Sequence, residues 1–178
     1  MRIGEALSKS SLPDILEGGL DIVFVGINPG RYSDKLGHYY AQPRNRFWPL
    51  LFESGILPRA LKPQEDWKLP RFRLGLTDVV QRATAGSSDL SMEELQIGGE
   101  ILRQKVLFYR PRILCFNGLT AYRALFKKEY PPGLQAPKIG NTALFAIPST
   151  SPRNARYSKI QLLRYFSALQ NFRKMQLK

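Results

Sequence analysis

The sequence predicts a three-layer α/β/α fold with a mostly parallel central sheet. Four short, largely apolar segments have the length of strands, at residues 22–25, 74–80, 112–116 and 143–147. The segment at 22–25 is continuously apolar rather than alternating, which is typical of a strand buried on both faces of a parallel sheet. Helical patterns lie between the runs. Because 178 residues suffice for one hydrophobic core, we expect a single domain over residues 1–178.

The charge balance predicts a polyanionic partner. The chain has 27 Lys plus Arg against 14 Asp plus Glu, a formal net charge of +13. Nucleic acid and an anionic membrane surface both attract such a protein. The 11% aromatic content favours nucleic acid, because bases stack on aromatic rings. No run approaches the roughly 20 apolar residues of a membrane span, and the amino terminus lacks the apolar core of a signal peptide. We expect no membrane association.

Metal chemistry has too few ligands in this sequence. Cys115 is the only cysteine and His38 the only histidine. One cysteine forms no intrachain disulfide and fits a reducing compartment. The usual ligands of a zinc site or an iron–sulfur cluster are therefore missing. We expect no metal and no cofactor, so that any catalysis uses amides, hydroxyls and backbone donors.

The first elements in chain order lead to a strand that ends abruptly in a loop. Residues 1–19 predict a short helix, with Pro13 in its first turn, that leads into the first strand. That strand breaks at residues 26–30, Gly-Ile-Asn-Pro-Gly. Gly permits unusual backbone angles and Pro fixes φ, so the loop should be rigid. It lies at the carboxyl end of a strand, where open α/β sheets bind ligands, and Asn28 is at its tip.

Aromatic and amide side chains follow this loop closely. Such a mixture suits a planar, hydrogen-bonding ligand such as a nucleobase. The pattern alone leaves the alternative open that the loop is an ordinary turn and that the aromatic residues belong to the core. The residues concerned are His38, Tyr39, Tyr40, Asn45, Phe47 and Trp48.

Helix signals mark the next elements. A helix should begin close to Asn45, since Pro49 is tolerated only near its start, and end before Gly55. Residues 57–73 are rich in Pro and charge, and predict an irregular surface crossing. Ser91 with Glu94 forms a capping box for a helix that runs to about Tyr109.

The last third of the chain continues the alternation. Gly98-Gly99 inside the preceding helix indicates close packing or a break. Residues 119–127 predict a helix and residues 128–142 a loop. The final helix carries its apolar residues on one face: Leu162, Tyr165, Phe166, Leu169 and Phe172.

The carboxyl-terminal residues are strongly basic. From residue 151 onward there are seven basic residues and no acidic one. A solvated helix face would account for them. Because they follow a loop rich in Ser and Thr at residues 149–151, we favour contacts with phosphates.

Four colinear segments resemble one known family, the mismatch-specific uracil/thymine-DNA glycosylases. The first joins GINPG at residues 26–30 to GHYY and NRFW. The second is GLTDVVQR at 75–82, followed by Thr84, Gly86, Ser87 and Asp89-Leu90, and the third is PRI with FNG at 111–118. The fourth, PSTSPR at 148–153, is closer to the eukaryotic thymine-DNA glycosylase branch than to the bacterial uracil branch. The likeness covers roughly residues 20–157.

The resemblance implies a monofunctional enzyme of base excision repair with a uracil-DNA-glycosylase-like fold. Such an enzyme flips uracil or thymine from G·U or G·T pairs in double-stranded DNA and hydrolyses the N-glycosidic bond, which leaves an abasic site. The eukaryotic branch also removes 5-formylcytosine and 5-carboxylcytosine. We expect a monomer, located in the nucleus of a eukaryote or otherwise in the cytoplasm at the nucleoid.

The resemblance also implies roles for individual residues. Asn28 matches the catalytic amide, which orients water because an amide cannot take a proton. Thr77 matches a position beside that water, with an ordinary strand-end threonine as the alternative. The expected base pocket consists of Ile27 and Tyr40 with their backbone N–H groups, the ring of Tyr40, the amide of Asn45, and His38 as an orienting, mouth or chemical residue.

The fourth segment implies the contacts with DNA. Arg153 matches the side chain that fills the gap left by the flipped base. Ser149, Thr150 and Ser151 match positions that grip phosphates, and Pro152 stiffens the loop. Arg31-Tyr32 is bulkier and more charged than the family pattern, which puts the range of bases in question.

Two other functions remain as alternatives. A non-catalytic DNA- or RNA-binding module on the same scaffold would bind in a salt-sensitive way and form no abasic product. A nucleotide-binding α/β enzyme unrelated to repair would normally carry a phosphate loop such as G-x-x-x-x-G-K-[ST], which the sequence lacks.

Overall fold

The computed structural model describes residues 12–126 and 131–177. Two 3₁₀ segments, Pro63–Phe72 and Ser87–Asp89, accompany the regular elements. The strands are β1 (Ile22–Gly26), β2 (Leu74–Asp78), β3 (Ile113–Asn117), β4 (Gly133–Ile139) and β5 (Thr142–Ile147). The helices are α1 (Arg31–Leu36), α2 (Phe47–Glu53), α3 (Met92–Tyr109), α4 (Leu119–Phe126) and α5 (Lys159–Gln176).

The strands form one sheet in the order β2-β1-β3-β5-β4. All neighbours are parallel except β4 and β5, which are antiparallel. The predicted fold class, a mostly parallel sheet flanked by helices, is confirmed. The register pairs Gly26 with Asp78 and Asn117 with Ile147, so the carboxyl ends of four parallel strands meet at one edge.

Apolar side chains cover both faces of the sheet. On one face Phe24 meets the ring of Phe47 at 5.1 Å and that of Phe166 at 6.3 Å, which joins β1 to α2 and α5. On the other face Val25 belongs to a cluster with Leu102 of α3. Every residue of β1, β2, β3 and β5 is buried, as the continuous apolar run at 22–25 predicted for the first strand.

The helix signals agree with the structure. Ser91 Oγ accepts a hydrogen bond from the Glu94 N–H at 3.1 Å, and the Glu94 carboxylate accepts one from the Ser91 N–H at 2.8 Å, so the capping box begins α3. A side chain at Gly98 would collide with the backbone oxygen of Val79. The glycine pair therefore serves close packing and not a break. Gly55 has a φ of +74° after the end of α2.

Two predictions about loops and ends are wrong, and one helix was missed. Residues 133–139 form β4 rather than a loop: this strand at the sheet edge contains Pro137, and several of its side chains are exposed, so it lacks a continuous apolar run. Residues 12–20 contain no helix, because Ile15 forms an antiparallel bridge to Leu76. The rest of that predicted helix, at residues 1–11, lies outside the described residues. Residues 31–36 form α1, which had not been predicted.

No helix among the described residues is long and apolar enough to cross a membrane.

Candidate active site

A cleft of about 900 Å³ opens at the carboxyl edge of the sheet. Its walls come from the loops that follow β1, β2, β3 and β5 and from the segment before α2. The lining residues fall at 26–33, 39–45, 84–87, 117–121 and 149–154, together with Leu12 and Asp78. This is where parallel α/β sheets bind their ligands.

Asn28 is held rigidly at the cleft. Its Nδ2 donates to the backbone oxygen of Arg82 at 2.8 Å and to Thr84 Oγ1 at 2.7 Å. A backbone carbonyl can only accept, so this contact fixes which end of the amide is the NH₂ group. Both amide protons are used, and no described residue donates to Oδ1. The carbonyl oxygen is therefore the atom that Asn28 offers to a water or to a developing positive charge.

Thr84 is a site residue to which the sequence analysis gave no role. Its hydroxyl accepts from Asn28 and donates to the backbone oxygen of Gly86 at 2.7 Å. Its backbone N–H donates to Pro29 O at 3.1 Å. Thr84 thus ties the loop after β1 to the loop after β2. The only signal for it in the sequence is its place within the second of the four resembling segments.

Asp78 is a second site residue without a predicted role. It ends β2 opposite Gly26, and a side chain on Gly26 would collide with its Oδ1. The Tyr40 hydroxyl lies 3.3 Å from the same ideal Cβ position. No described residue donates a hydrogen bond to this carboxyl group. Burial chiefly, and the charge of Asp14 in addition, raise its pKa to about 8 against the opposing effect of Lys105. Asp78 therefore retains its proton near neutral pH.

Tyr40 lines the cleft in an unusual backbone conformation. Its φ is +52°, a left-handed value that costs a non-glycine residue about 1–3 kcal/mol. Its ring packs on Phe47 with 4.1 Å between ring centroids, which anchors it to the core. Burial first, and then the charge of Asp78, raise the pKa of the Tyr40 hydroxyl far above its usual value, while Asn117 opposes the shift. Ile27, predicted beside it, also lines the cleft.

Asn45 lines the cleft as well. Its Oδ1 accepts from the Phe47 N–H at 3.0 Å and from Thr150 Oγ1 at 2.9 Å. Among the described residues its Nδ2 has no acceptor. The amide therefore presents two donors, which suits a carbonyl oxygen on a planar ligand.

Thr150 does not offer its side chain to phosphate, which corrects the prediction for this residue. It is fully buried. Its Oγ1 accepts from Asn117 Nδ2 at 2.9 Å and donates to Asn45, while its N–H donates to Asn117 Oδ1 at 3.0 Å. Thr150 therefore fastens the loop after β5 to the end of β3. Asn117 is a further structural residue of the site that the sequence analysis did not assign.

The other residues of this loop lie at the mouth of the cleft. Ser149 Oγ accepts from the Ser151 N–H at 3.2 Å, and Ser151 Oγ accepts from the Arg153 N–H at 3.3 Å. Because each hydroxyl accepts in these bonds, its own proton is left for donation to an anion. Pro152 also lines the mouth. The exposed Arg153 guanidinium crosses toward the opposite wall, with Nη1 3.0 Å from an ideal Cβ on Gly86.

Two predicted residues are not brought into the cleft. Thr77 is fully buried and donates to Asp14 Oδ1 at 2.6 Å, so the geometry does not support a place beside an attacking water. His38 Nδ1 lies 3.2 Å from Asp66 Oδ1, and Asp66 Oδ2 accepts from the Tyr39 N–H at 3.1 Å. His38 does not line the cleft, and its contacts fit an orienting residue behind Tyr39.

Positive charge surrounds the mouth of the cleft. Arg31, Arg44 and Arg153 line it and are exposed. Three guanidinium groups around a cleft favour a phosphate backbone over a neutral partner. Within the described residues, no group of three or more His, Cys, Asp or Glu side chains could hold a metal ion.

A family model matches most of the chain. The model of the uracil DNA glycosylase superfamily matches residues 13–173, which include all five strands and the whole lining of the cleft beyond Leu12.

Proposed function

Because the chain belongs to the uracil DNA glycosylase superfamily, whose general activity is that of a DNA glycosylase, we propose that it is a mismatch-specific uracil/thymine-DNA glycosylase. Its proposed substrates are uracil and thymine in G·U and G·T pairs of duplex DNA, with 5-formylcytosine and 5-carboxylcytosine as further candidates. We propose that it acts as a monomer of one domain, in the nucleus or at the nucleoid. The observation that carries the proposal is the fixed amide of Asn28 at the cleft.

The proposed reaction begins with a water molecule held by Asn28. The Oδ1 atom accepts a hydrogen bond from the water and stabilises the positive charge that develops on the sugar. The water oxygen bonds to the sugar carbon, the N-glycosidic bond breaks with its electron pair leaving on the base, and the proton lost by the water passes through solvent to the departing base. Asn28 cannot accept the proton of the water, so much of the rate must come from stabilising the departing base.

The leaving base is proposed to lie against Tyr40 and Asn45. The backbone N–H groups near Ile27 and Tyr40 would receive the negative charge on the base, and Asn45 Nδ2 would donate to a base carbonyl. Asp78, protonated below a pKa of about 8, would donate a further hydrogen bond. Its ionised form would instead repel the negative charge of the base.

The duplex is proposed to bind across the mouth of the cleft. Arg153 would enter the space left by the flipped base, which offsets part of the few kcal/mol needed for unstacking. The hydroxyls of Ser149 and Ser151 would donate to phosphate oxygens, and Arg31 and Arg44 would add charge. Arg156, which is exposed in the same loop, would extend this basic surface.

Single-turnover cleavage of labelled duplexes tests the proposal. Duplexes with one G·U, G·T, G·5-carboxylcytosine or A·U pair are incubated with excess enzyme, and alkali then reveals abasic sites. We expect cleavage of G·U well above A·U, and the G·T duplex then distinguishes the two branches of the family. Tight duplex binding without abasic product in any duplex would contradict the proposal and favour the non-catalytic binding module.

A further inference from the structure

Arg46 lies immediately before α2, and its guanidinium group binds the loop that follows β5. Its Nε donates to the backbone oxygen of Thr150 at 3.3 Å, and its Nη2 donates to those of Ser151 and Asn154 at 2.8 and 3.0 Å. Its Nη1 donates to the Tyr157 oxygen at 2.6 Å. Its own N–H also donates to the Thr150 oxygen, at 3.2 Å.

In these contacts the guanidinium group of Arg46 donates hydrogen bonds to backbone carbonyl oxygens and does not form an ion pair with a carboxylate. Among the described residues no carboxylate forms a salt bridge with Arg46. The four carbonyl groups belong to residues 150–157, which carry no regular secondary structure. A planar fork with five N–H groups can hold several carbonyls in fixed directions, whereas the ammonium group of lysine is a compact charge with three donors.

The neighbouring residue Asn45 connects the same loop to the cleft. Its side chain accepts a hydrogen bond from the Thr150 hydroxyl, while Arg46 donates one to the backbone oxygen of Thr150. Ser151 and Asn154, both held through their carbonyls, flank Arg153. The direction in which Arg153 leaves the loop therefore depends on Arg46.

We propose that Arg46 is a positioning residue that fixes the loop of residues 149–157 and thereby sets the preference for duplex over single-stranded DNA. This inference rests on the proposed function for its effect on DNA, but not for its effect on the loop. Arg46 is half-buried and does not line the cleft, so it acts through Arg153 and its neighbours.

Limited trypsin digestion tests the effect on the loop without any substrate. Trypsin cleaves after Arg153 and Arg156, and mass spectrometry identifies these products. The variants are Arg46→Lys, which preserves the charge, and Arg46→Ala. Arg103→Ala is the matched control, because Arg103 is an exposed arginine on α3, outside the cleft. We expect cleavage in the loop to become about tenfold faster in both Arg46 variants and to stay unchanged in Arg103→Ala.

Single-turnover kinetics test the effect on DNA. The same uracil-containing strand is offered alone and in a G·U duplex. Because misplacement by about 1 Å can cost about 100-fold in rate, we expect Arg46→Lys to lose about 10- to 100-fold on the duplex and much less on the single strand. Its melting temperature should stay close to that of the wild type.

The two readouts separate the two proposals. Wild-type resistance to trypsin in Arg46→Lys would overturn the positioning role, whatever the activity. Equal losses on duplex and single strand would overturn its link to duplex preference. If the wild-type protein excises no base but the loop of Arg46→Lys is cut faster, the proposed function fails while the positioning role of Arg46 stands.

Discussion

Asn28 and Thr84 are 56 positions apart in the sequence, and the side-chain amide of Asn28 donates a 2.7 Å hydrogen bond to the Thr84 hydroxyl. Two backbone hydrogen bonds stabilise the same junction, from Thr84 N to Pro29 O and from Arg31 N to Thr84 O. The loop after β2 therefore determines how the amide after β1 faces the cleft. The orientation of the Asn28 carbonyl, which we propose to hold the attacking water, therefore depends on both loops.

Replacing Thr84 by valine should slow excision. The change removes the hydroxyl at nearly constant volume and leaves one Asn28 N–H without its acceptor, so the amide can rotate. We expect about a tenfold lower single-turnover rate on G·U duplex, with duplex affinity unchanged. Thr84→Ser retains the hydroxyl and is the matched control. A wild-type rate for Thr84→Val would show that the amide is held without this bond.

Excision should depend on the protonation of Asp78. Its pKa of about 8 means that the carboxyl group is mostly protonated near neutral pH and ionised above that value. Since the ionised form would repel the base that we propose to depart beside it, the single-turnover rate should fall as pH rises through about 8. Asp78→Asn retains a donor but does not titrate, so its pH profile should be flat there. An identical fall in the variant would assign the titration to another group.

The stability of the folded protein should also depend on the ionisation of Asp78. The pKa of Asp78 is higher in the folded protein, about 8, than the ordinary value of 3.8. The folded state thus holds the proton more tightly, and the resulting stabilisation is complete below the ordinary pKa and lost as pH rises through about 8. The melting temperature of Asp78→Asn minus that of the wild type should increase over this interval. A constant difference would show that Asp78 is ionised in the folded state throughout.

Arg153→Ala should distinguish duplex from single-stranded DNA. The side chain is exposed at the cleft mouth, and its proposed place is the gap that a flipped base leaves only in a duplex. We expect about a tenfold or larger loss of cleavage on G·U duplex and a small loss on the same strand alone. Arg103→Ala controls for the change in net charge. Equal losses on both substrates would contradict the role in the duplex gap.

The fold could be predicted because its strands carry strong local signals. The buried strand β1 appears as a continuous apolar run and the other buried parallel strands as largely apolar ones, and α3 begins at a capping box that Ser91 and Glu94 mark in the sequence. β4 could not be predicted in this way. It lies at the sheet edge with Leu134 exposed, and its pairing with β5 depends on tertiary contacts.

The place of the site in the fold was easier to predict than the roles of its residues. Asn28, Tyr40, Asn45 and Arg153 all line the cleft, and their roles stay predictions. Thr77 and Asp78 show the limit of the prediction. They are neighbours on β2, and successive side chains of a strand point to opposite faces, so Asp78 reaches the cleft while Thr77 binds Asp14. The register of the sheet decides which of these two side chains points toward the cleft.

Single-turnover excision by Asn28→Ala on a G·U duplex is the most direct test, with duplex affinity measured in parallel. If Asn28 Oδ1 holds the attacking water, the rate should fall by about 100-fold or more while Kd for the duplex stays near that of the wild type. Full activity of Asn28→Ala would contradict the proposed role of this amide and the mechanism built on it.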